Sequence, residues 1–330
     1  MSQPVALVTG AGGEMGHLLI PALRQKGYAV VALDLVALPD SIREQCVEAV
    51  EASILDKEVL SDLFQRHSPD AVYHLAAVLS RKAEADPDLA HRVNVEGSYN
   101  LLQLCHQPYR TEPVRLLFPS SIAVYGLPNG QTKNEAGAIK EHEWTVPAGV
   151  YGCNKLYCEL LGAHLVRSQG SPDFRSIRFP GLISADTLPT GGTTDYAPEM
   201  IHAAAKGEKY ACFVLRDARL PFMTMPDGVD ALLALAMAPA ENLSTRVYNI
   251  RGFSSTAAEI RSEILKHFPD ADLGFEPDPA RQRLVDSWPG DVDDSAARRD
   301  WGLNPKHGLS QAMADYLVPA MRRRYADATA

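Results

Sequence analysis

The stretch Val5-Ala6-Leu7-Val8-Thr9-Gly10-Ala11-Gly12-Gly13-Glu14-Met15-Gly16 decides how the chain is read. A short apolar run breaks into glycine-rich sequence, as a buried parallel strand does when it hands over to a helix. The turn reads G-x-x-G-x-x-G, and its glycines have separate physical uses. Gly10 allows a tight turn, Gly13 lets a pyrophosphate approach the backbone, and Gly16 lets the helix pack close to the sheet. The helix start at Glu14, Met15 and Gly16 adds N–H groups and a partial positive charge. A glycine pattern alone is weak, because a purely structural turn looks the same. Two carboxylates strengthen it. Asp34 ends the next strand, Ala29–Leu33, where it would accept hydrogen bonds from an adenosine ribose, and Asp56 is placed to meet an adenine edge. No Arg or Lys follows Asp34 through Pro39. A 2′-phosphate about 5 Å from Asp34 would meet roughly 3 kcal/mol of repulsion per unit charge at an effective dielectric near ~20. The expected cofactor is NAD rather than NADP.

Outward from this turn the first half alternates strand and helix. A helical pattern runs from Gly13 through Lys26, apolar runs follow at Ala71–Leu75 and Val114–Phe118, and helical patterns at Val59–Arg66 and Asn94–Cys105 lie between. A helix over Val150–Ser168 and a strand over Arg175–Phe179 complete the series. This spacing predicts right-handed βαβ crossovers on one parallel sheet. After Pro180 the regularity loosens, with one strand (Arg246–Ile250) between two helices. The expectation is an α/β fold: a doubly wound, Rossmann-like parallel sheet over residues 1–180, and a smaller mixed substrate-binding part over 181–330. That part is not expected to fold independently, and it has room to exchange segments with the first.

Composition bounds the rest. With 330 residues, 46% hydrophobic and 22% charged, the chain has the balance of a globular enzyme and enough length to bury a large core without disulfides or metal. Lys+Arg 32 against Asp+Glu 41 gives a net charge of −9, the wrong sign for a nucleic-acid binder. The five cysteines are scattered without a CxxC, and the ten histidines show no HExxH spacing, so reduced thiols, a cytoplasmic location and no metal are expected. The longest aliphatic stretch, Val229–Ala240, contains Asp230 and is too short to span a bilayer. No membrane or nucleic-acid partner is expected.

The chemistry concentrates later in the first half. Tyr151 and Lys155 stand four apart, which on a helix puts both on one face. A nearby ammonium stabilises a phenolate, and bringing a tyrosine from a pKa of about 10 to about 7 takes roughly 4 kcal/mol of such help. A phenolate so prepared takes the proton of an alcohol as hydride leaves its carbon. Ser120 and Ser121 end the strand before it, and one hydroxyl could hold the reacting oxygen. By itself Tyr-x-x-x-Lys is commonly a surface pair; with the glycine turn, Asp34 and the serines it forms a constellation.

That constellation, with Leu75-Ala76-Ala77, Asn94 and Ser121-Ile122-Ala123-Val124-Tyr125-Gly126, resembles the extended short-chain dehydrogenase/reductases over most of the first 180 residues. The resemblance implies a catalytic set of Ser121, Tyr151 and Lys155 over bound NAD. It also implies cofactor contacts at Leu75, Ala76, Ala77, Asn94, Ser120 and Pro180. Asn94 would hold backbone or water behind Lys155, with a helix N-cap as the plain alternative. Ile122 and Ala123 stand where the dehydratases of the family carry an acidic pair, which argues against dehydration.

The blocks Arg178-Phe179-Pro180-Gly181-Leu182-Ile183-Ser184, Gly191-Gly192-Thr193-Thr194-Asp195-Tyr196, Leu220–Asp227, Asp286-Ser287-Trp288-Pro289 and Asp300-Trp301-Gly302 are similar to the family of short-chain-type L-threonine 3-dehydrogenases. This implies oxidation of a threonine β-hydroxyl to 2-amino-3-oxobutanoate with reduction of NAD. It implies a homodimer through the Asn94 and Tyr151 helices and a substrate contact at Ser80. A zwitterionic substrate wants hydroxyls, backbone N–H groups and an acidic partner, and Thr193, Thr194 and Asp195 supply these types; the plain alternative is an Asx-type turn and helix cap. Arg178 suits either the substrate carboxylate or a structural ion pair. Thr190, Thr224 and Arg81 depart from the family, which opens the pocket to a related β-hydroxy acid or hydroxy amino acid. The competing activity is a nucleotide-sugar 4-epimerase with tightly bound NAD, whose diphosphate would need Arg246, Arg251, Arg281 or Arg283. A cofactor-sensing interaction protein without turnover is the third reading.

Overall fold

The computed structural model describes residues 3–107, 110–185, 187–189 and 192–326. Its contacts form two units, one of Met1–Ser121, Val150–Arg178 and Leu232–Tyr248, the other of Ile122–Gly149, Phe179–Ala231 and Asn249–Ala330. The chain passes between them after Ser121, Gly149, Arg178, Ala231 and Tyr248.

The first unit is built on a seven-stranded sheet. Its strands are β1 (Val5–Thr9), β2 (Ala29–Asp34), β3 (Glu48–Glu51), β4 (Ala71–His74), β5 (Arg115–Ser121), β6 (Asp173–Phe179) and β7 (Val247–Asn249), in the spatial order β7-β6-β5-β4-β1-β2-β3. β1 pairs in parallel with both β2 and β4, β2 with β3, and β4 with β5. Ala6–Val8, Val30–Leu33, Ala71–Tyr73 and Leu116–Phe118 are all buried, the continuous apolar runs of a sheet covered on both faces. Strand order reverses between β1 and β4, and in such sheets a ligand crevice opens at the carboxyl ends of the strands at this switch point. Thr9 and His74 stand at those two ends.

The helices α1 (Glu14–Gln25), α2 (Lys57–His67), α3 (Ser98–Cys105) and α4 (Val150–Gln169) follow the predicted pattern with two differences. The helix expected over Asn94–Cys105 begins as a π-helix, His91–Gly97. There the Asn94 carbonyl accepts from Ser98 Oγ at 2.6 Å and from Cys158 Sγ at 3.3 Å, so side chains supply the bonds that a widened turn misplaces. Secondly, the strand expected near Arg246–Ile250 is β7, an edge of the main sheet, with Ser176 N donating to Arg246 O at 2.8 Å.

The second unit is mixed. Residues Phe253–Thr256, Arg219–Thr224 and Gly181–Ile183 form a three-stranded sheet, antiparallel on one side and parallel on the other. Tyr196, Phe222, Phe213 and Phe253 pack its core, with the Tyr196 ring edge-on to Phe213 and Phe222. Thr256 and Glu259 form a reciprocal capping box at the start of the helix Ala257–His267. Thr224 is buried, and its Oγ1 accepts from Asp227 N at 3.3 Å at the start of the helix Met225–Met237. Thr224, one of the departures noted above, thus has a local capping use. No helix among the described residues is long and apolar enough to cross a membrane. Among the same residues no three His, Cys, Asp or Glu cluster as metal ligands.

Candidate active site

The glycine turn leaves β1 at Gly10, whose φ of +68° is left-handed backbone that other residues adopt with strain. A Cβ there would stand 2.6 Å from Ala76 N, because the turn runs against the segment that leaves β4. At Gly16 a Cβ would come 2.2 Å from Ala11 O, so this glycine lets α1 start tightly under the turn. Gly13 is exposed, and α1 begins there without a side-chain cap. Glu14 and Met15, half-buried, form the first turn of the helix. Asp34 Oδ2 accepts from Gly12 N at 2.8 Å and Oδ1 from Val36 N at 3.2 Å, which fixes the carboxylate beside the turn. Leu35 and Val36 beyond it are exposed and uncharged. An uncapped helix start, an open glycine and a pinned carboxylate fit a dinucleotide pyrophosphate and its ribose. Asp56, expected at an adenine edge, has a nearer partner: its Oδ1 accepts from Val59 N at 3.1 Å as the N-cap of α2.

Leu75, Ala76 and Ala77 are half-buried where the chain leaves β4, and Ser80 opens a short helix, Ser80–Ala85, followed by exposed Arg81. Asn94 fastens this segment. Its Oδ1 accepts from Val78 N at 2.8 Å, and its Nδ2 donates to Val78 O at 2.9 Å and to Asn154 Oδ1 at 3.4 Å. Asn94 therefore holds backbone, as one of its two readings had it, and is not an N-cap.

Behind Asn94 lies a buried chain that the sequence did not disclose. Ser98 Oγ donates to the Asn94 carbonyl and sits 2.9 Å from His74 Nε2, while His74 Nδ1 sits 2.8 Å from Thr9 Oγ1. With the serine proton spent on Asn94, the consistent tautomer has Nε2–H donating to Ser98 and Thr9 donating to Nδ1. Burial lowers the His74 pKa to about 3, so the ring stays neutral. The signal available in the sequence was a histidine directly before Leu75-Ala76-Ala77, at a strand end.

Tyr151 and Lys155 share one face of α4 as their spacing predicts. Tyr151 is half-buried and packs with Val150 against Val78, Ala83 and Ala90. Lys155 is buried; its Nζ donates to Pro119 O at 2.7 Å, lies 4.6 Å from the Phe118 ring centroid and 5.6 Å from that of Tyr151. Lysine, tyrosine and the end of β5 are thus brought together within one unit. Ser121 ends β5 half-buried, and Ser120 Oγ is buried without a hydrogen-bond partner. Burial pushes the Tyr151 phenol above its ordinary range and brings Lys155 down to about 8. The expected fall in the tyrosine pKa is absent from this arrangement, because the ammonium is bonded to a carbonyl and burial dominates the phenol.

One turn further along α4, Glu159 meets Arg178. The guanidinium Nε lies 3.0 Å from Oε1 and Nη2 lies 2.7 Å from Oε2, with both side chains buried. Of the two readings open for Arg178, the structure presents the ion pair, and the substrate-carboxylate expectation is corrected accordingly: the guanidinium faces a protein carboxylate. Glu159 was missed, although it stands at i+4 from Lys155 and i+8 from Tyr151.

In the second unit Pro180 is buried. Thr193 is buried, Thr194 and Asp195 are half-buried, and Asp195 Oδ2 accepts from Gly192 N at 2.7 Å. Asp195 occupies the N-cap position of the helix Tyr196–Lys206, yet its side chain makes no cap bond and folds back on the turn. Thr190 and Gly191 lie outside the described residues. Three of the four arginines that a nucleotide-sugar pocket would need have protein partners. Arg246 meets Asp173 at 3.2 Å, Arg251 meets Asp291 at 3.0 Å, and Arg281 donates to Gly192 O at 2.8 Å.

A doubly wound sheet with a glycine turn and a carboxylate at its switch point defines a dinucleotide-binding protein. Residues 6–250 match the NAD dependent epimerase/dehydratase family. The chain belongs to that family, and its cofactor is NAD. It is 36% identical over 316 residues to the mitochondrial L-threonine 3-dehydrogenase of Bos taurus, covering 96% of this chain and 82% of that one. The solved L-threonine 3-dehydrogenase of Trypanosoma brucei is 35% identical with a TM-score of 0.86, covering 99% of this chain and 98% of that one. A monomeric L-threonine 3-dehydrogenase from a metagenome is 36% identical with a TM-score of 0.86, covering 96% and 99%.

Proposed function

We propose that the chain is an NAD-dependent oxidoreductase of a secondary alcohol, and that its substrate is L-threonine or a close β-hydroxy amino acid. The observation that supports this reading is Lys155, bonded to Pro119 O near the end of β5 and sharing one face of α4 with Tyr151, in a chain similar along its length to threonine dehydrogenases. Bound NAD supplies the hydride acceptor. Tyr151 takes the alcohol proton at its phenolic oxygen, Ser121 holds the reacting oxygen, and Lys155 keeps a positive charge beside the phenol. Gly10, Gly13, Glu14, Met15 and Gly16 cradle the pyrophosphate and Asp34 takes the ribose. The Leu75-Ala76-Ala77 segment, which leads into Val78 held by Asn94, would contribute to holding the nicotinamide end of the cofactor. Ser80, Thr193, Thr194 and Asp195 receive the amino-acid end of the substrate.

Purified protein given L-threonine and NAD should accumulate NADH. With NADP in place of NAD, kcat/KM should fall roughly a hundredfold, the equivalent of about 3 kcal/mol of repulsion at Asp34. Comparable values with both cofactors would remove Asp34 as the selector. Conversion of UDP-glucose without added cofactor, and no NADH from threonine, would establish the epimerase instead.

A homodimer is part of the same proposal. Tyr99, Tyr157 and Leu160, on the helices named for the interface, are large apolar side chains left exposed. Light scattering should give twice 35.9 kDa; a mass equal to one chain, as in the relative described as monomeric, would end it.

A further inference from the structure

The turn Gly192-Thr193-Thr194-Asp195 is fastened by one side chain from far along the sequence. Arg281 lies in the first turn of the helix Pro279–Ser287, which Asp278 caps through Ala280 N and Arg281 N. Its Nη2 donates to Gly192 O at 2.8 Å, and its guanidinium carbon lies over the Phe213 ring, 3.0 Å from the centroid. Phe213 in turn meets Tyr196 edge-on at 5.8 Å, and Tyr196 is the first residue of the helix leaving the turn.

The same Gly192 carbonyl accepts from Asp195 N at 3.2 Å, while Gly192 N donates to Asp195 Oδ2 at 2.7 Å. A Cβ at residue 192 would approach Asp195 Oδ1 to 2.8 Å, so the turn is closed tightly around its own aspartate. One carbonyl therefore carries both an internal closure of the turn and the Arg281 tether to the helix. The planar guanidinium stacks upon the ring while it donates to the carbonyl; a lysine at this place keeps a point charge but loses the planar stacking. Arg281 is also one of the arginines a nucleotide-diphosphate pocket would have required, and here this donor is turned onto the protein's own backbone.

We propose that Arg281 is a positioning residue for substrate recognition. By holding Gly192 O it sets Thr193, Thr194 and Asp195 for the ammonium and carboxylate of an amino acid, and it governs substrate affinity without affecting the cofactor. This rests on the reading of the turn as the amino-acid subsite.

The test compares wild type, Arg281→Met and Arg281→Lys in full-length protein, with threonine kinetics and NAD titration by protein fluorescence. Loss of one charge-assisted hydrogen bond should raise the KM for threonine about tenfold or more in Arg281→Met. The kcat should stay within about threefold and the NAD affinity should be unchanged, on the same account. Arg281→Lys, which keeps the charge and loses the fork, should fall between. An unchanged KM in Arg281→Met overturns the proposal. So does a parallel loss of NAD affinity in both variants, which would make the arginine a general support of the unit. If wild type itself does not oxidise threonine, the amino-acid reading fails and takes this inference with it. That failure is distinct, because the others leave wild-type activity intact.

Discussion

Replacing Tyr151 by phenylalanine should lower kcat by about a thousandfold or more, with NAD affinity within about twofold of wild type. The ring remains, so the apolar contacts with Val78, Ala83 and Ala90 survive and the fold is little disturbed. What is lost is the phenolic oxygen proposed to accept the alcohol proton. The neighbouring Lys155 cannot substitute, because its Nζ is bonded to Pro119 O and, at a pKa of about 8, it is mostly protonated at neutral pH. The pH dependence has a definite sign. Burial holds the phenol above its ordinary range, so the base form gains population with each step upward in pH. Threonine oxidation should therefore rise from pH ~6 to ~7, where Lys155, with a pKa of about 8, still keeps most of its charge, as the usual dependence on a deprotonated base requires. Stopped-flow NADH formation for the wild type and Tyr151→Phe checks both points. Retained turnover in the variant would place the proton on another group.

The second large effect concerns stability. Glu159→Gln removes the negative charge facing the buried Arg178 guanidinium, and breaking a buried pair on one side costs roughly 3–5 kcal/mol. For a chain of this size that is a fall in melting temperature of about ten degrees, to order of magnitude. The double variant Glu159→Leu/Arg178→Met, which removes both charges and fills the space, should recover most of the loss. Activity should fall beyond what stability explains, because the Glu159 carboxylate also supports the charge on Lys155 against burial. Thermal unfolding of the single and double variants decides the matter. Equal melting temperatures for wild type and Glu159→Gln would mean that the pair contributes nothing net.

Local features were legible in the sequence and distant ones were not. The glycine turn, Asp34 and the helix over Val150–Gln169 are each specified by residues within a few positions of one another, through turn chemistry and helical period. β7 is different, since a three-residue strand has little local pattern and takes its place only by meeting β6, some seventy positions earlier. The same holds for polar partners. His74 reaches Thr9 across 65 positions and Ser98 across 24, and Arg281 reaches Gly192 across 89. Arg178 could be narrowed to two roles from its type alone, but choosing between them required seeing Glu159 on an adjacent helix. Asp56 shows the reverse: a carboxylate three residues before a backbone N–H has an ordinary use as a cap, and local chemistry claimed it.

The interleaving of the two units has a consequence for how such a protein can be recombined. Neither unit is a continuous stretch of polypeptide, so no single junction separates them. A gene fragment ending near residue 180 would lack β7 and leave the hydrogen-bonding edge of β6 bare, a ready template for aggregation. A chimera that borrowed everything after that point from a relative would bring in a foreign β7 as well as a foreign turn at Gly192–Asp195. An exchange of segments between relatives is therefore cleaner as a short graft, and the proposed substrate segment Gly192–Asp195 would be moved together with the position of Arg281 that holds it.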